Sequence, residues 1–213
     1  MNPYFSNDIF SIYRFKSGPY DNNAYLIVCA NTNDSLIIDT PDEPNQLVEF
    51  ASKTNVQMIA ITHNHFDHLL GFDNVTDVIK APVAIGYPDA NKLPQNADIL
   101  LYGDEKIEIG NLTVKSIFTP GHTDGSICLK LASHLFTGDT LFPGGPGKSR
   151  SPEAFKELVD SITSKLFNLS DDIRFYPGHG EDDILANAKF EFSIFSSKEH
   201  SDDLFGDVEW LSS

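Results

Sequence analysis

His63, His65, Asp67 and His68 place three histidines and an aspartate within six consecutive positions. Neutral imidazoles and a carboxylate are the donors that zinc and its first-row neighbours take. The cluster follows Met58-Ile59-Ala60-Ile61, a short, continuous apolar run that predicts a buried strand. Its donors therefore sit where a strand gives way to a loop. Residues two apart on an extended segment point the same way, so His63 and His65 can reach one ion. Asp67 and His68 follow on the turn and can reach a second. Without a cation, four such groups packed after an apolar strand would need many hydrogen-bond partners at once.

One loop seldom completes a metal site, and three later strand ends offer more donors. Residues 114–119 read as a strand and lead into Pro120-Gly121-His122-Thr123. Residues 134–137 lead into Gly138-Asp139-Thr140, and 173–176 into Pro177-Gly178-His179-Gly180. Glycine beside each polar residue lets the backbone turn sharply. Any one of these phrases alone is a plain turn; all three in order after the histidine cluster point to one site.

The spacing His63-x-His65-x-Asp67-His68, then His122, Asp139 and His179, resembles the metallo-β-lactamase superfamily. Within it, Pro120-Gly121-His122-Thr123-x-Gly125-Ser126 and Phe136-Thr137-Gly138-Asp139-Thr140-Leu141-Phe142 are similar to the glyoxalase II (hydroxyacylglutathione hydrolase) branch. The resemblance covers roughly residues 10–190. It implies an α/β fold, a four-layer αβ/βα sandwich of two mixed sheets with helices outside. It assigns His63, His65 and His122 to one divalent ion and Asp67, His68 and His179 to a second. Asp139 bridges them, and Asp39 supports the ligands from behind. The implied cofactors are two zinc ions, with iron or manganese as alternatives. The implied reaction is attack of a water shared by the ions on a thioester or related activated carbonyl, with Asp67 and Asp139 as catalytic residues. The segment after His179 is short beside the helical extension that carries part of the glutathione site in that branch, so the resemblance implies thioester chemistry and leaves open whether glutathione is recognised. A lactonase or β-lactamase-like hydrolase would use the same site. Persulfide dioxygenases also resemble the branch, with one iron at positions matching His63, His122 and Asp139. A metal-binding module without catalysis is the non-enzymatic alternative, and the complete ligand set argues against it.

The elements that must position these residues alternate in type. Residues 9–15, 24–29, 35–39 and 57–61 read as strands, and 42–52 as a helix with Leu47, Val48 and Ala51 facing a core. A short helix is expected to begin at His68 and run to Val75. Residues 82–118 read as short strands with turns at Gly86-Tyr87-Pro88 and Gly103-Asp104, and 127–136 as a hairpin. Ser151, Pro152 and the spacing of Phe155, Leu158, Val159, Ile162 and Leu166 predict a helix over 152–167; a last helix is expected over 181–190. Ser35-Leu36-Ile37-Ile38-Asp39-Thr40 parallels His134-Leu135-Phe136-Thr137-Gly138-Asp139-Thr140. Each phrase precedes a helix, a short strand and a ligand-bearing loop, so the chain reads as two similar halves. At 213 residues it is expected to form a single domain, with its core over about 8–192 and an acidic tail over 193–213.

Asp plus Glu number 31 against 15 Lys plus Arg, a formal charge of −16. Such a chain repels nucleic acid and anionic membranes at long range, so the expected partner is a small molecule. No apolar run reaches the roughly 18 residues of a membrane span. The first residues lack a signal-peptide pattern, and Cys29 and Cys128 fall in apolar runs as expected for buried free thiols. Together these predict a cytoplasmic protein. The segment Phe142-Pro143-Gly144-Gly145-Pro146-Gly147-Lys148-Ser149-Arg150 lacks the first glycine of a phosphate-binding loop and is not one. Lys148 and Arg150, rare cations beside Asp139, are candidates to bind a substrate carboxylate. His134 is read as a strand or turn residue outside the site, and Trp210 as a packing anchor.

Overall fold

A computed structural model describes residues 1–213. The first sheet runs in sequence order: β1 (Phe5–Ser6), β2 (Phe10–Ser17), β3 (Asn22–Cys29), β4 (Asp34–Ile38), β5 (Asn55–Ile61), β6 (Val83–Gly86) and β7 (Ile99–Leu101). It is antiparallel from β1 to β4 and parallel from β4 to β7. The second sheet contains β8 (Lys106–Ile109), β9 (Leu112–Phe118), β10 (Ile127–Leu131) and β11 (His134–Gly138). A small ribbon of β12 (Leu141–Phe142) and β13 (Gly145–Pro146) interrupts the chain before β14 (Arg174–Pro177) and β15 (Asp183–Ile184) complete the sheet in the order β15-β14-β11-β10-β9-β8.

Alternation along the strands explains the layering. Ile12, Ile27, Leu36 and Ile38 pack with Val114, Leu129, Phe136 and Tyr176 between the sheets. Their neighbours Leu26 and Ile37 face outward, onto Leu47 and Ala51 of α1 (Asn45–Ala51) and Phe72 and Val75 of α2 (Phe72–Val78). On the far side, Cys128, Leu135 and Phe175 meet α3 (Pro152–Ser161) and α4 (Leu185–Ser196). Both faces of each central strand are thus apolar, as the continuous apolar runs require, and the result is the expected four-layer αβ/βα sandwich. The two halves also match: β4-α1-β5 and β11-α3-β14 each return to a parallel neighbour. No helix is long and apolar enough to cross a membrane.

Several elements begin elsewhere than periodicity alone predicts. Helix α1 starts three residues after position 42, because Glu43 has φ +51° and Pro44 occupies the N-cap. The helix expected from His68 is instead a 3-10 turn, Phe66–His68, followed by α2. The His68 carbonyl accepts from the Thr40 N–H at 3.0 Å and hydroxyl at 3.1 Å, so it is not free to start an α-helix. Tyr87-Pro88 opens a 3-10 helix, Tyr87–Lys92, rather than a simple turn. Ser151 caps α3 through Ala154 N at 3.2 Å. Beyond Ser161 the helix widens into a π-turn, Ile162–Leu166, where the Thr163 hydroxyl bonds back to the Val159 carbonyl at 2.8 Å, a contact that bends helices. The helix expected from 181 starts only at Leu185. Glu181 pairs with Arg14 at 2.9 Å, and Asp183–Ile184 joins the sheet edge.

Both cysteines are buried and free. His134 is a buried strand residue whose ring bonds the Tyr176 hydroxyl at 2.7 Å. The acidic tail folds back onto the body: Val208 and Trp210 are buried against Phe167 and Phe192. Ser149 N donates to the Gly206 carbonyl at 3.1 Å, Gly206 N to Ser149 Oγ at 3.0 Å, and Trp210 N to the Gly144 carbonyl at 2.9 Å. The tail therefore holds the 142–150 loop in place.

Candidate metal centre

Every predicted ligand leaves a strand end at one edge of the sandwich. His63, His65, Asp67 and His68 follow β5, His122 follows β9, Asp139 follows β11 and His179 follows β14. The register of β11 against β14 slips between Phe136 and Gly138. Gly138, at φ +49°, lies against Thr62, where an added Cβ would sit 2.7 Å from the threonine side chain. This tight corner turns Asp139 into the site.

The donors fall into two groups that share a carboxylate. His63, His65 and His122 converge, as do Asp67, His68 and His179, each set with its ligand atoms within 4.8 Å of one another. The His63 and His122 Nε2 atoms are 3.3 Å apart. Asp139 lies between the groups: Oδ2 is 3.6 Å from His122 Nε2 and 3.5 Å from His179 Nε2, and Oδ1 is 3.4 Å from His68 Nε2. His68 Nε2 and Asp139 Oδ1 are buried without a hydrogen-bond partner. Unpaired buried donors facing one another among imidazoles are costly unless a cation joins them. The residues present therefore fit two divalent ions.

The other ring nitrogens are already engaged. His68 Nδ1 donates to Asp39 Oδ2 at 3.0 Å, His122 Nδ1 to the Lys148 carbonyl at 2.8 Å and His179 Nδ1 to the Tyr20 carbonyl at 2.7 Å. The Thr62 hydroxyl gives its hydrogen to Asp39 Oδ2 at 2.8 Å, so it accepts from His63 Nδ1 at 3.0 Å. These bonds fix the tautomer that turns Nε2 inward on four histidines. Asp39 also accepts from Thr62 N at 2.8 Å. Its backbone holds φ +62°, a left-handed conformation that aspartate tolerates better than most residues.

Charge follows the same division. Burial pushes His63 well below the usual histidine range, and it brings His65 down to about 4 with help from His122. Burial opposes a charge on His68 too, but Asp139 and Asp39 raise it well above that range. Burial likewise works against His179, yet hydrogen bonds to Asp139 and Asp67 raise it to about 10. Burial would raise Asp67 and Asp139; the neighbouring His179 and His68 hold both below the usual carboxylate range. In the metal-free protein the neighbouring carboxylates thus favour the charged form of His68 and His179.

Sequence reasoning missed residues that bind no ion directly. Asn22 donates to Asp67 Oδ2 at 2.9 Å. Asn23 grips the 177–180 loop through the Pro177 carbonyl at 3.0 Å and the Gly180 carbonyl at 2.9 Å. Thr62 and Asp89 were missed as well; only the Asn22-Asn23 pair at a strand start carried any local signal. Lys148 and Arg150 do reach the site. With Asn64, His65, Lys92, His122, Thr123, Asp139 and Ser149 they line a cavity of about 330 Å³. Lys148 pairs with Asp207 at 3.0 Å, and Arg150 pairs with Asp124, all four side chains being exposed.

The model of the Metallo-beta-lactamase superfamily matches residues 17–179. The chain belongs to the metallo-beta-lactamase superfamily. Among its relatives in this superfamily, the probable hydroxyacylglutathione hydrolase glo2 of Schizosaccharomyces pombe is 32% identical over 195 residues, 85% of this chain and 72% of the relative. The probable metallo-hydrolase YqgX of Bacillus subtilis is 31% identical over 195 residues, 81% of this chain and 92% of the relative. In three dimensions the superfamily's BLEG-1 B3 metallo-beta-lactamase aligns with a TM-score of 0.76 at 24% identity, over 84% of this chain and 96% of that one. The protein is a metal-dependent hydrolase of this superfamily.

Close packing behind the ligands gives a direct test of the geometry. A Cβ added at Gly178 would lie 2.3 Å from Asp139 Oδ1 and 2.6 Å from His68 Cε1. Gly178→Ala is expected to fold but to lower kcat by about 100-fold, the usual cost of misplacing a catalytic group by about 1 Å. Metal analysis should show reduced metal content, the Asp67, His68 and His179 donor set being the one the added methyl group crowds. Wild-type turnover would refute this account of Gly178.

Proposed function

We propose that this chain is a dinuclear hydrolase of thioesters that carry an anionic group. The shared Asp139 between two complete donor sets is the observation that carries the dinuclear reading. The name of the relative glo2, a probable hydroxyacylglutathione hydrolase, supports a thioester. Zinc suits a set of five imidazoles and two carboxylates without thiolate.

When bound, two such ions lower the pKa of a shared water and polarise a carbonyl. The chain's own groups do the rest. His63, His65 and His122 hold one position, and Asp67, His68 and His179 the other, with Asp139 reaching both. Asp67, kept ionised by His179, His68 and Asn22, accepts a hydrogen bond from the attacking water and orients it. No hydroxyl or thiol serves as nucleophile. The inward Nε2 atoms face one another and the carboxylates, and the only histidine–hydroxyl contacts are His63 with Thr62, behind the site, and the remote His134 with Tyr176.

Lys92, Lys148 and Arg150 bring three cations to the cavity beside His65 and His122, in a chain that carries a net charge of −16. They would hold an anionic leaving group and favour it over neutral ones. Replacing Lys148 and Arg150 together by alanine is expected to raise KM for an anionic thioester roughly tenfold with kcat little changed, the pattern of lost uniform binding. An unchanged KM for every anionic substrate would dispose of this role.

The function itself is tested by metal analysis of protein purified without added metal, with thioester and lactone hydrolysis measured on the same sample. Two zinc ions per chain, and thioester cleavage abolished by chelation, are expected. Lactone cleavage without thioester cleavage would overturn the substrate class. One iron per chain without hydrolysis would overturn the dinuclear mechanism.

A further inference from the structure

Asp89 lies outside the ligand set, on the 3-10 helix Tyr87–Lys92, yet it is only 1% exposed. Its Oδ2 accepts from the backbone N–H of Asn64 at 3.0 Å and from the Thr123 hydroxyl at 2.7 Å. Its Oδ1 accepts from Gly125 N at 2.9 Å. Asn64 stands between His63 and His65, and Thr123 directly follows His122. One carboxylate therefore ties together the two loops that carry the three imidazoles of the first donor set.

The surroundings leave the clamp little freedom. Ser126 Oγ accepts from Thr123 N at 3.1 Å and lies 2.7 Å from Thr123 Oγ1. The Thr123 hydroxyl spends its hydrogen on Asp89, so Ser126 donates to it, and the chain of bonds has one direction. A Cβ at Gly125 would lie 2.6 Å from the Asp89 side chain, and one at Gly86 would lie 1.9 Å from the Gly125 carbonyl. The helix carrying Asp89 thus packs against the His122 loop without slack. All three partners of the carboxylate are uncharged donors, and ionised acceptors make hydrogen bonds roughly twice as strong as neutral ones.

We propose that Asp89 is the positioning residue of the first metal position, fixing how far the His63–His65 loop stands from His122. It touches neither substrate nor ion, and it acts through the backbone of both loops. The second position, built from Asp67, His68 and His179, has braces of its own in Asn22 and Asn23, while Asp39 serves both positions, His68 directly and His63 through Thr62. Loss of Asp89 should therefore weaken one ion and spare the other, which a residue that merely stabilises the fold would not do. The proposal rests on the two-ion reading of the site.

The test is a stepwise titration of the protein with cobalt(II) against a competing chelator. Visible absorption bands distinguish the three-imidazole position from the carboxylate-rich one. Asp89→Ala is expected to lower affinity at the three-imidazole position by about 10–100-fold, the range seen when groups behind metal ligands are removed, with the other position unchanged. Asp89→Asn, which keeps the shape but turns an amide toward one of the donors, should fall between. If Asp89→Ala does not fold, the isosteric Thr123→Val removes a single arm and should give a smaller loss at the same position. Equal losses at both positions, or wild-type affinity in these variants, would overturn the role of Asp89. A wild-type protein that takes up no ion would overturn the metal reading beneath it, a distinct result.

Discussion

Replacing Asp139 by alanine is expected to reduce turnover by at least about 10³-fold while leaving the sandwich folded. Its two oxygens are the only carboxylate atoms that approach ligands of both sets, reaching His122, His179 and His68. Removing it strips one charge and one donor from each metal position at once. Losing a single group that stabilises developing charge costs about 10²–10³-fold elsewhere, and here two ions would also shift or dissociate. The side chain is walled by ligands rather than by core residues, so the circular dichroism of the metal-free protein should change little, while its unfolding midpoint should fall because His68 and His179 lose a carboxylate partner. Retained turnover in a metal-loaded Asp139→Ala protein would refute the bridging role.

Chelation should have the largest effect on stability. An ion present at about 1,000 times its dissociation constant stabilises the native state by about 4 kcal/mol. In a chain of this size 1 kcal/mol moves Tm by about 2–4 °C. Removing the bound metal is therefore expected to lower Tm by about 10 °C or more. The penalty should depend on pH, and the sign follows from the histidines. In the metal-free protein His179 is raised to about 10 and His68 is also raised. Their stabilisation is complete below the ordinary histidine pKa near 6.5 and is lost as pH rises through the folded value. Bound ions take up the same imidazoles in neutral form, so the loaded protein loses little over that range. The gap in Tm between loaded and chelated protein should widen from pH 7 to 9. Scanning calorimetry at several pH values checks this, and a gap that narrows would show that His68 and His179 do not carry the positive charge in the empty site.

Much of the centre was legible because metal ligation demands particular residue types at strand ends. His63 to His68 announce themselves by density, and His122, Asp139 and His179 by the glycines that turn the chain beside them. The layer architecture could be read from runs such as Leu36-Ile37-Ile38, which alternate between two apolar environments. Element starts were less legible, because tertiary hydrogen bonds set them. The carbonyl of His68 goes to Thr40 and not to a new helix, and Glu181 goes to Arg14. Asp89 was invisible for the same reason. A lone aspartate after Tyr-Pro reads as a turn residue, and its partners lie 25 and 34 positions away. Trp210 was recognisable as an anchor from its bulk, but the loop that its tail holds was not.

The ligands run from His63 to His179 and come from both sheets, with Asp139 in the second sheet facing His68 at the end of the first. No fragment that ends before β11 contains either complete set of donors together with the shared carboxylate. The full donor set with its shared carboxylate is therefore assembled only when the two halves dock, and long-range pairings of this kind are expected to form slowly. Metal uptake followed in real time during refolding would report that last docking step, and zinc supplied early would find only the local His63–His68 cluster to hold it.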